Sequence, residues 1–367
     1  MLRREPKDRR EFAIVHDHLV QRGGAERIVA LLSQTLPGAR VHTSLYEPSR
    51  TYPEFGGVDV RPMAVNRFSF FRVDHRRALP LLPALFGLKR IQADTVVVST
   101  SGWAHFVRTK GRRITYWHSP NRWIYSPKGA LSGRLPLLRV ALGLASKPLS
   151  WIDRAAAKAG GTHFANSRET SDRLRRYYGL TAVVLPPPMM LDLSSVSIPL
   201  ADLPPGFALL VSRLQPYKNI EAAFDAFRLR PEDRLVLIGT GPAETNYRRM
   251  APANVIVVGR VSDAELCWAY RSCRLLLAPA VEDFGLTPIE AAAFGKPTVA
   301  LRSGGYLDTV VEGVNGLYFE ESTPLSIDRA LSASERHDFS PDVIRAHAEQ
   351  YSLSSFVNRL RGSFETS

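Results

Sequence analysis

Two cations and two carboxylates stand at loop positions suited to holding a phosphorylated sugar. Arg213 and Lys218 lie in Ser212-Arg213-Leu214-Gln215-Pro216-Tyr217-Lys218-Asn219, directly after a strand-like apolar run. Two positive charges in one loop at the C-terminal end of a strand suit a diphosphate, whose charge they neutralise without metal. Glu282 and Glu290 stand eight positions apart in EDFGLTPIE, the first in a loop and the second in a first helical turn. Thr287 reads as the N-cap of that helix, Pro288 as its first residue and Glu290 as the completion of a capping box. This helix start and the following Gly304-Gly305 turn aim backbone N–H groups at one crevice, and such groups hold phosphate. Each feature has an ordinary alternative: a surface turn with incidental cations, a capping Glu290, a solvated Glu282. Taken together they describe a diphosphate held from several sides, near carboxylates that accept sugar hydroxyls.

A second group of candidates sits in the first half. Phe12 to His16 reads as a strand, followed by Gly23-Gly24-Ala25-Glu26-Arg27 and an amphipathic helix carrying Ile28, Val29, Leu31, Leu32 and Leu36. Strand, glycine pair and helix open a nucleotide-fold half, but without G-x-G-x-x-G there is no dinucleotide fingerprint. The glycines make either a tight turn or a close approach of ligand to backbone. His118-Ser119-Pro120-Asn121-Arg122-Trp123 follows another strand, Arg113 to Trp117, at the edge where open α/β sheets bind ligands. His118 is a site candidate there, or a structural histidine. Asn166-Ser167-Arg168 reads as a helix N-cap region.

The elements that must position these groups form two alternations of strand and helix. In the first half Thr95 to Ser99 and Thr162 to Ala165 join the strands already named. In the second the strands are Phe207 to Val211, Arg234 to Ile238, Asn254 to Val258, Leu275 to Leu277, Thr298 to Leu301 and Gly316 to Phe319. Residues 189–205 are poor in pattern and read as a linker, and Pro341 to Phe364 is helical. The fold class is therefore α/β, two Rossmann-like, doubly wound domains facing across a cleft.

Composition bounds the rest. The 367 residues suffice for two domains, and 45% hydrophobic with 23% charged residues is ordinary for a globular chain. No run of eighteen apolar residues suggests a membrane span. The basic N-terminal ten residues lack the apolar core of a signal peptide and read as a solvated tail. Cys267 and Cys273 form neither a metal spacing nor a disulfide framework, which is compatible with a reducing cytoplasm. A net charge of +13 calls for a polyanionic partner: nucleic acid, anionic lipid or a phosphorylated substrate. No nucleic-acid motif accompanies it, so no nucleic-acid partner is expected. Residues 67–90 and 128–158 interleave Arg and Lys with Leu, Phe and Trp, as an interfacial helix on an anionic membrane requires; amphipathic core helices are the alternative.

The Arg213/Lys218 loop, the E-x7-E stretch Glu282–Glu290 around FGLTPIEA, and the GGYLDTV turn resemble the donor-binding half of family 4 glycosyltransferases, retaining enzymes of the GT-B fold that use nucleotide-sugar donors. The GGAER turn and YWHSPNRWIY resemble the same family's acceptor half, so the likeness spans nearly the whole chain. HRRALPLLPALF is similar to a subgroup of mannosyltransferases that build bacterial polysaccharides on lipid-linked precursors. The resemblance implies an acceptor domain at 1–190, a donor domain at 191–345, and a final helix at 346–367 that packs back on the first domain. It implies that Arg213 and Lys218 bind the donor diphosphate and stabilise the leaving nucleotide. Glu282 would accept donor-sugar hydroxyls, with the backbone of Phe284, Gly285 and Leu286 orienting the sugar beside the Thr287 helix start. Glu290 would hold the ribose hydroxyls, His118 would contact the sugar near the reacting carbon, and Gly23-Gly24 would let the acceptor-side loop approach the diphosphate.

That chemistry is consistent with the residues. A departing nucleoside diphosphate develops charge that fixed cations and N–H dipoles stabilise. It needs no protonation, so Glu282 and Glu290 are not a glycosidase acid/base pair. Asp17 is the only carboxylate near the first domain's strand ends that could act as nucleophile, and same-face attack is favoured over double displacement. No metal and no cofactor beyond the nucleotide-sugar substrate is expected, with GDP-mannose favoured. The expected partners are a lipid-linked or glycan acceptor and an anionic membrane, at the cytoplasmic face of the plasma membrane; the oligomeric state is left open. The rival readings are another GT-B enzyme, such as a UDP-sugar epimerase or a phosphorylase, and a non-catalytic basic membrane partner with a vestigial donor site.

Overall fold

Strands rich in Val, Leu and Ile, apolar on both faces, form parallel sheets covered by helices on each side. In the computed structural model, which describes residues 11–36, 38–125, 136–193, 196–200 and 203–365 (without the side chains of 136–146 and 363–365), such strands build two units, Met1–Leu185 and Pro186–Ser367.

The first unit holds a seven-stranded sheet. Its strands are β1 (Phe12–His16), β2 (Arg40–Thr43), β3 (Val60–Pro62), β5 (Thr95–Thr100), β7 (Arg112–Trp117), β8 (Thr162–Ala165) and β9 (Val183–Val184), in the order β3-β2-β1-β5-β7-β8-β9 and all parallel. Arg90–Ile91 (β4) and Arg108–Thr109 (β6) pair separately. Every residue of β5 is buried, as a central parallel strand demands. The strand order reverses between β1 and β5, and a crevice opens at the carboxyl ends of the strands at such a point. His16 and Ser99 are register partners there.

The second unit holds six parallel strands: β10 (Ala208–Val211), β11 (Leu235–Ile238), β12 (Val255–Gly259), β13 (Leu275–Ala278), β14 (Thr298–Leu301) and β15 (Gly316–Phe319). Their order is β12-β11-β10-β13-β14-β15, with the reversal between β10 and β13. Leu210, Leu237, Leu277 and Phe224 pack on one face; Leu209, Val236, Leu276 and Tyr270 pack on the other.

Three expectations change. The units divide at Leu185/Pro186, at the start of the triple proline rather than after it. Described residues of the stretch 189–205, expected as a linker, pack on the second unit: Leu191 and Leu200 are buried beside Phe207 and Tyr270, and Ile198 N donates to Ala264 O. The final helical segment is two helices, Pro341–Glu349 and Leu353–Glu365. Ile344, Ala348 and Tyr351 pack against Phe284, Ile289 and Ala292, so the second unit's core extends past residue 345.

Candidate active site

In the second unit the loop after β10 is pinned at three points. Leu214 is fully buried and its N–H donates to Thr240 O at 2.9 Å. A Cβ on Gly239 would overlap Ser212 O, and one on Gly241 would overlap Leu214 O, so the β11 loop must be glycine to run against this backbone. Asn219 takes the left-handed conformation (φ 56°), which Asn tolerates. Its Nδ2 donates to Pro279 O and Ser322 Oγ, each at 3.0 Å, tying the loop to the end of β13.

This places Lys218 almost wholly out of solvent, 3% exposed, in an ion pair with Glu282 Oε1, whose side chain remains 33% exposed. Lys218 Nζ also lies 5.0 Å from the centroid of the Tyr217 ring. Arg213 is exposed, with Nη2 donating to Tyr217 Oη at 3.4 Å. A buried cation therefore holds the Glu282 carboxylate at the switch point of the sheet.

The helix carrying Glu290 starts differently from expectation. It runs Leu286–Ala293 with Gly285 as N-cap, in the left-handed region at φ 88°, and no side chain caps it. The Thr287 N-cap and the Thr287/Glu290 capping box are not formed. Thr287 and Pro288 are the second and third helical residues, a position Pro tolerates because its missing N–H would have no acceptor in the first turn. Position 285 must be glycine for this start: its φ is positive, and a Cβ there would sit 2.6 Å from the Tyr306 ring. A full capping box does occur, at Ser262 and Glu265.

Glu290 instead accepts a hydrogen bond of 2.7 Å from Tyr270 Oη. Burial, then the Glu290 charge, push the Tyr270 pKa well above its usual value, so the hydroxyl remains a donor. Phe284 is buried, while Gly285, Leu286 and Thr287 are half-buried. The Gly304-Gly305 turn closes this loop from outside. Gly305 N donates to Glu282 O at 2.7 Å, and Cβ atoms at the two glycines would overlap the Glu282 and Phe284 backbone.

In the first unit the carboxyl ends of β1, β5 and β7 gather His16, Asp17, Ser99 and His118. Asp17 accepts four main-chain N–H bonds: Ser101 (2.7 Å) and Gly102 (2.9 Å) on Oδ2, Trp103 and Ala104 (each 2.8 Å) on Oδ1. Its carboxylate is thus a structural anchor for residues 101–104. His118 is buried; its Nε2 lies 2.8 Å from Ser99 Oγ, and its carbonyl accepts from Asn166 Nδ2 at 3.0 Å. Burial first, then His16 and Arg122, hold the His118 pKa well below its usual value, so the ring is neutral near pH 7. Ser167 N-caps Arg168–Tyr178, as the sequence suggests, accepting from Thr170 N at 3.0 Å.

Gly23 caps the helix Gly24–Thr35 in an extended conformation that any residue adopts, so close approach explains it: a Cβ would lie 2.5 Å from Glu26 Oε2. Glu26 is 2% exposed and accepts from Gln21 Nε2 at 2.8 Å.

The structure thus couples Lys218 to Glu282, leaves Arg213 exposed on the same loop, and gives Glu290 its own partner. Sequence reading missed Gly239, Gly241, Tyr270 and Ser99. A Gly-x-Gly directly after β11 was the available signal for the first two. A tyrosine or serine inside a buried element carries no such mark.

Comparison with known proteins agrees with this geometry. Residues 22–192 match the Glycosyltransferase Family 4 family and residues 198–348 match Glycosyl transferases group 1. A GDP-mannose-dependent alpha-mannosyltransferase of Corynebacterium glutamicum is 35% identical over 133 residues, 35% of this chain and 32% of that protein. Other curated relatives are likewise matched over about a third of their own length. The alpha-1,3/1,6-mannosyltransferase ALG2 of Dictyostelium discoideum is 25% identical across 84% of this chain and 86% of its own. Among solved structures, HepE of Anabaena in complex with UDP and glucose superposes with a TM-score of 0.70 at 17% identity, covering 98% of this chain and all of that one. With two parallel-sheet units of this topology and these two segments in tandem, the chain belongs to the family 4, group 1 glycosyltransferases of the GT-B fold.

Proposed function

We propose that the protein transfers mannose from GDP-mannose, with retention at the anomeric carbon, to a glycan or lipid-linked acceptor at an anionic membrane surface. The observation that carries the donor half of this reading is the buried Lys218 paired with Glu282 at the β10/β13 switch point. On this reading Lys218 and Arg213 take the diphosphate and offset the charge that develops as it leaves, without a metal. Glu282, oriented by Lys218, accepts sugar hydroxyls beside the backbone of Phe284, Gly285 and Leu286. Glu290, held by Tyr270, accepts the ribose hydroxyls. His118 addresses the sugar near the reacting carbon, and the Gly23-Gly24 turn admits the diphosphate. Asp17 is committed to four main-chain donors, which favours same-face attack over a covalent intermediate.

Mannose and GDP are favoured because two relatives are named as mannosyltransferases, one of them GDP-mannose-dependent. The UDP and glucose bound by HepE keep UDP-sugars as the second reading. Incubation with GDP-, UDP- and ADP-sugars, followed by thermal unfolding and nucleotide release, decides between them. GDP-mannose raises the unfolding temperature most and is turned over fastest. Stabilisation by a UDP-sugar alone reassigns the donor, and no response to any nucleotide sugar overturns the enzyme reading.

The membrane half rests on the outer layer of the first unit. Phe71, Leu79, Leu82 and Phe86 bury against β1 and β5 in one cluster, with Leu149 and Ala156 of the long helix Pro136–Ala157 packed on it. From this layer Phe68, Phe70, Val73, Leu81, Leu88, Trp151 and Ile152 stand exposed, Leu88 at 78% and Trp151 at 75%, interleaved with exposed Arg67, Arg77, Arg90, Lys147 and Arg154. Apolar side chains ringed by cations match an anionic lipid surface. Arg134 and Arg139, expected in the same face, lie outside the described side chains. Sedimentation with phosphatidylglycerol liposomes is expected at low salt and is lost as salt rises; failure to pellet at low salt rejects the membrane half while leaving the donor reading standing.

A further inference from the structure

Ser99 is fully buried, and its hydroxyl has one proton to give between two imidazoles. His16 Nδ1 lies 3.1 Å from both Ser99 O and Ser99 Oγ, and His118 Nε2 lies 2.8 Å from the same Oγ. The carbonyl oxygen only accepts, so a bare Nδ1 on His16 would set two lone pairs against each other at that distance. The proton of His16 therefore sits on Nδ1, and Ser99 O and Oγ receive it. Among the described residues His16 Nε2 is buried with no hydrogen-bond partner, and a proton placed there would be a donor with nothing among them to receive it. A hydroxyl oxygen can accept twice, but among the described residues the Ser99 hydroxyl has no acceptor other than His118 Nε2 once His16 donates into Oγ. A buried O–H left without an acceptor is costly, so its proton goes to His118 Nε2, which is then the bare nitrogen.

We propose that His16 and Ser99 are positioning residues that lock His118 as a neutral imidazole with its proton on Nδ1, so that it meets the donor sugar as a hydrogen-bond donor rather than as a base. The assignment deepens the proposed function, and its role in transfer rests on His118 addressing the sugar. The ring is fixed from several sides: Ser99 holds Nε2, Asn166 holds the main-chain carbonyl, and the Tyr116 ring packs edge-on at 5.1 Å. A ring so held can present one nitrogen in one protonation state to a sugar oxygen, and transition-state donors must be pre-organised in this way.

The test uses the full chain labelled with 15N-histidine and no nucleotide sugar. Long-range proton–nitrogen correlation shows which ring nitrogen carries the proton, and the signal lost in His118→Gln identifies His118. A protonated Nδ1 and bare Nε2 are expected; a proton on Nε2, or an average of both forms, overturns the proposal. Ser99→Ala should release the ring to that average and lower kcat about tenfold with donor KM nearly unchanged, while Ser99→Thr restores both. Equal loss in the Ala and Thr variants with an unmoved His118 signal also overturns it. Should either variant fail to fold, the wild-type spectrum decides alone. Because that spectrum is recorded without donor, it stands apart from the donor screen: absence of turnover defeats the proposed function, whereas a wrong tautomer in an active enzyme defeats only this inference.

Discussion

Lys218→Ala lowers kcat for transfer by about 10²–10³-fold, the range for removal of one fixed donor from a developing oxyanion, while the protein unfolds near its wild-type temperature. Glu282→Ala gives a comparable loss of activity but a measurable loss of stability, and that asymmetry is the diagnostic part. Removing Lys218 leaves Glu282 with a third of its side chain already in solvent, where water takes over the charge. Removing Glu282 leaves a cation that is 3% exposed with no carboxylate beside it, and an unpaired buried charge is costly. Partial solvation of the pair reduces the penalty from the fully buried case to about 1–3 kcal/mol. The double variant Lys218→Ala/Glu282→Ala should recover most of that stability and none of the activity. Thermal unfolding and single-turnover kinetics on the three variants read both quantities. Equal unfolding temperatures for the two single variants would show that the ion pair does not position Glu282, and undiminished transfer by Lys218→Ala would remove Lys218 from the chemistry.

The pair also shows where sequence reading reaches its limit. The strands β1, β5, β10, β11, β13 and β14 were legible because each is buried on both faces and therefore apolar along its length. β2 and β3, at one side of the first sheet, and two-residue β9, at the other, are partly exposed, and Val60-Arg61-Pro62 carries no pattern to read. Lys218, Glu282 and Glu290 were legible as residue types in a spacing. That Lys218 is buried and that Glu282 is its partner were not, because the two stand 64 residues apart and meet only when β10 and β13 pair. Thr287 illustrates the opposite failure. Local rules favoured a capping box there, but the helix starts two residues earlier, at a left-handed glycine close against the Tyr306 ring. A local preference worth about 1 kcal/mol does not fix a helix start inside a packed loop.

For the retaining reaction proposed above, Asp17→Asn separates same-face attack from double displacement. A carboxylate nucleophile replaced by an amide leaves a folded protein with at least a 10⁴-fold loss of activity. An anchor so replaced leaves an unstable protein whose folded fraction still works, and that is the expected result. Asp17 presents two oxygens to four main-chain N–H groups, two on each. Asparagine presents one oxygen and one NH2, so whichever way the amide turns, two buried donors face another donor. Each such group costs about 1–3 kcal/mol, and together with the lost charge-assisted bonds the variant should lose about 3–5 kcal/mol. For a unit of this size that lowers the unfolding temperature by about 10 °C. Measured at a temperature where the variant is folded, kcat should stay within about tenfold of wild type, since residues 101–104 adjoin Ser99 without carrying the reacting groups. A stable, inactive Asp17→Asn protein, or a glycosyl adduct trapped on Asp17, would return the reaction to double displacement. The chemistry at the anomeric carbon would then run through the first unit's carboxylate instead of the leaving diphosphate that the proposed function assigns to Arg213 and Lys218.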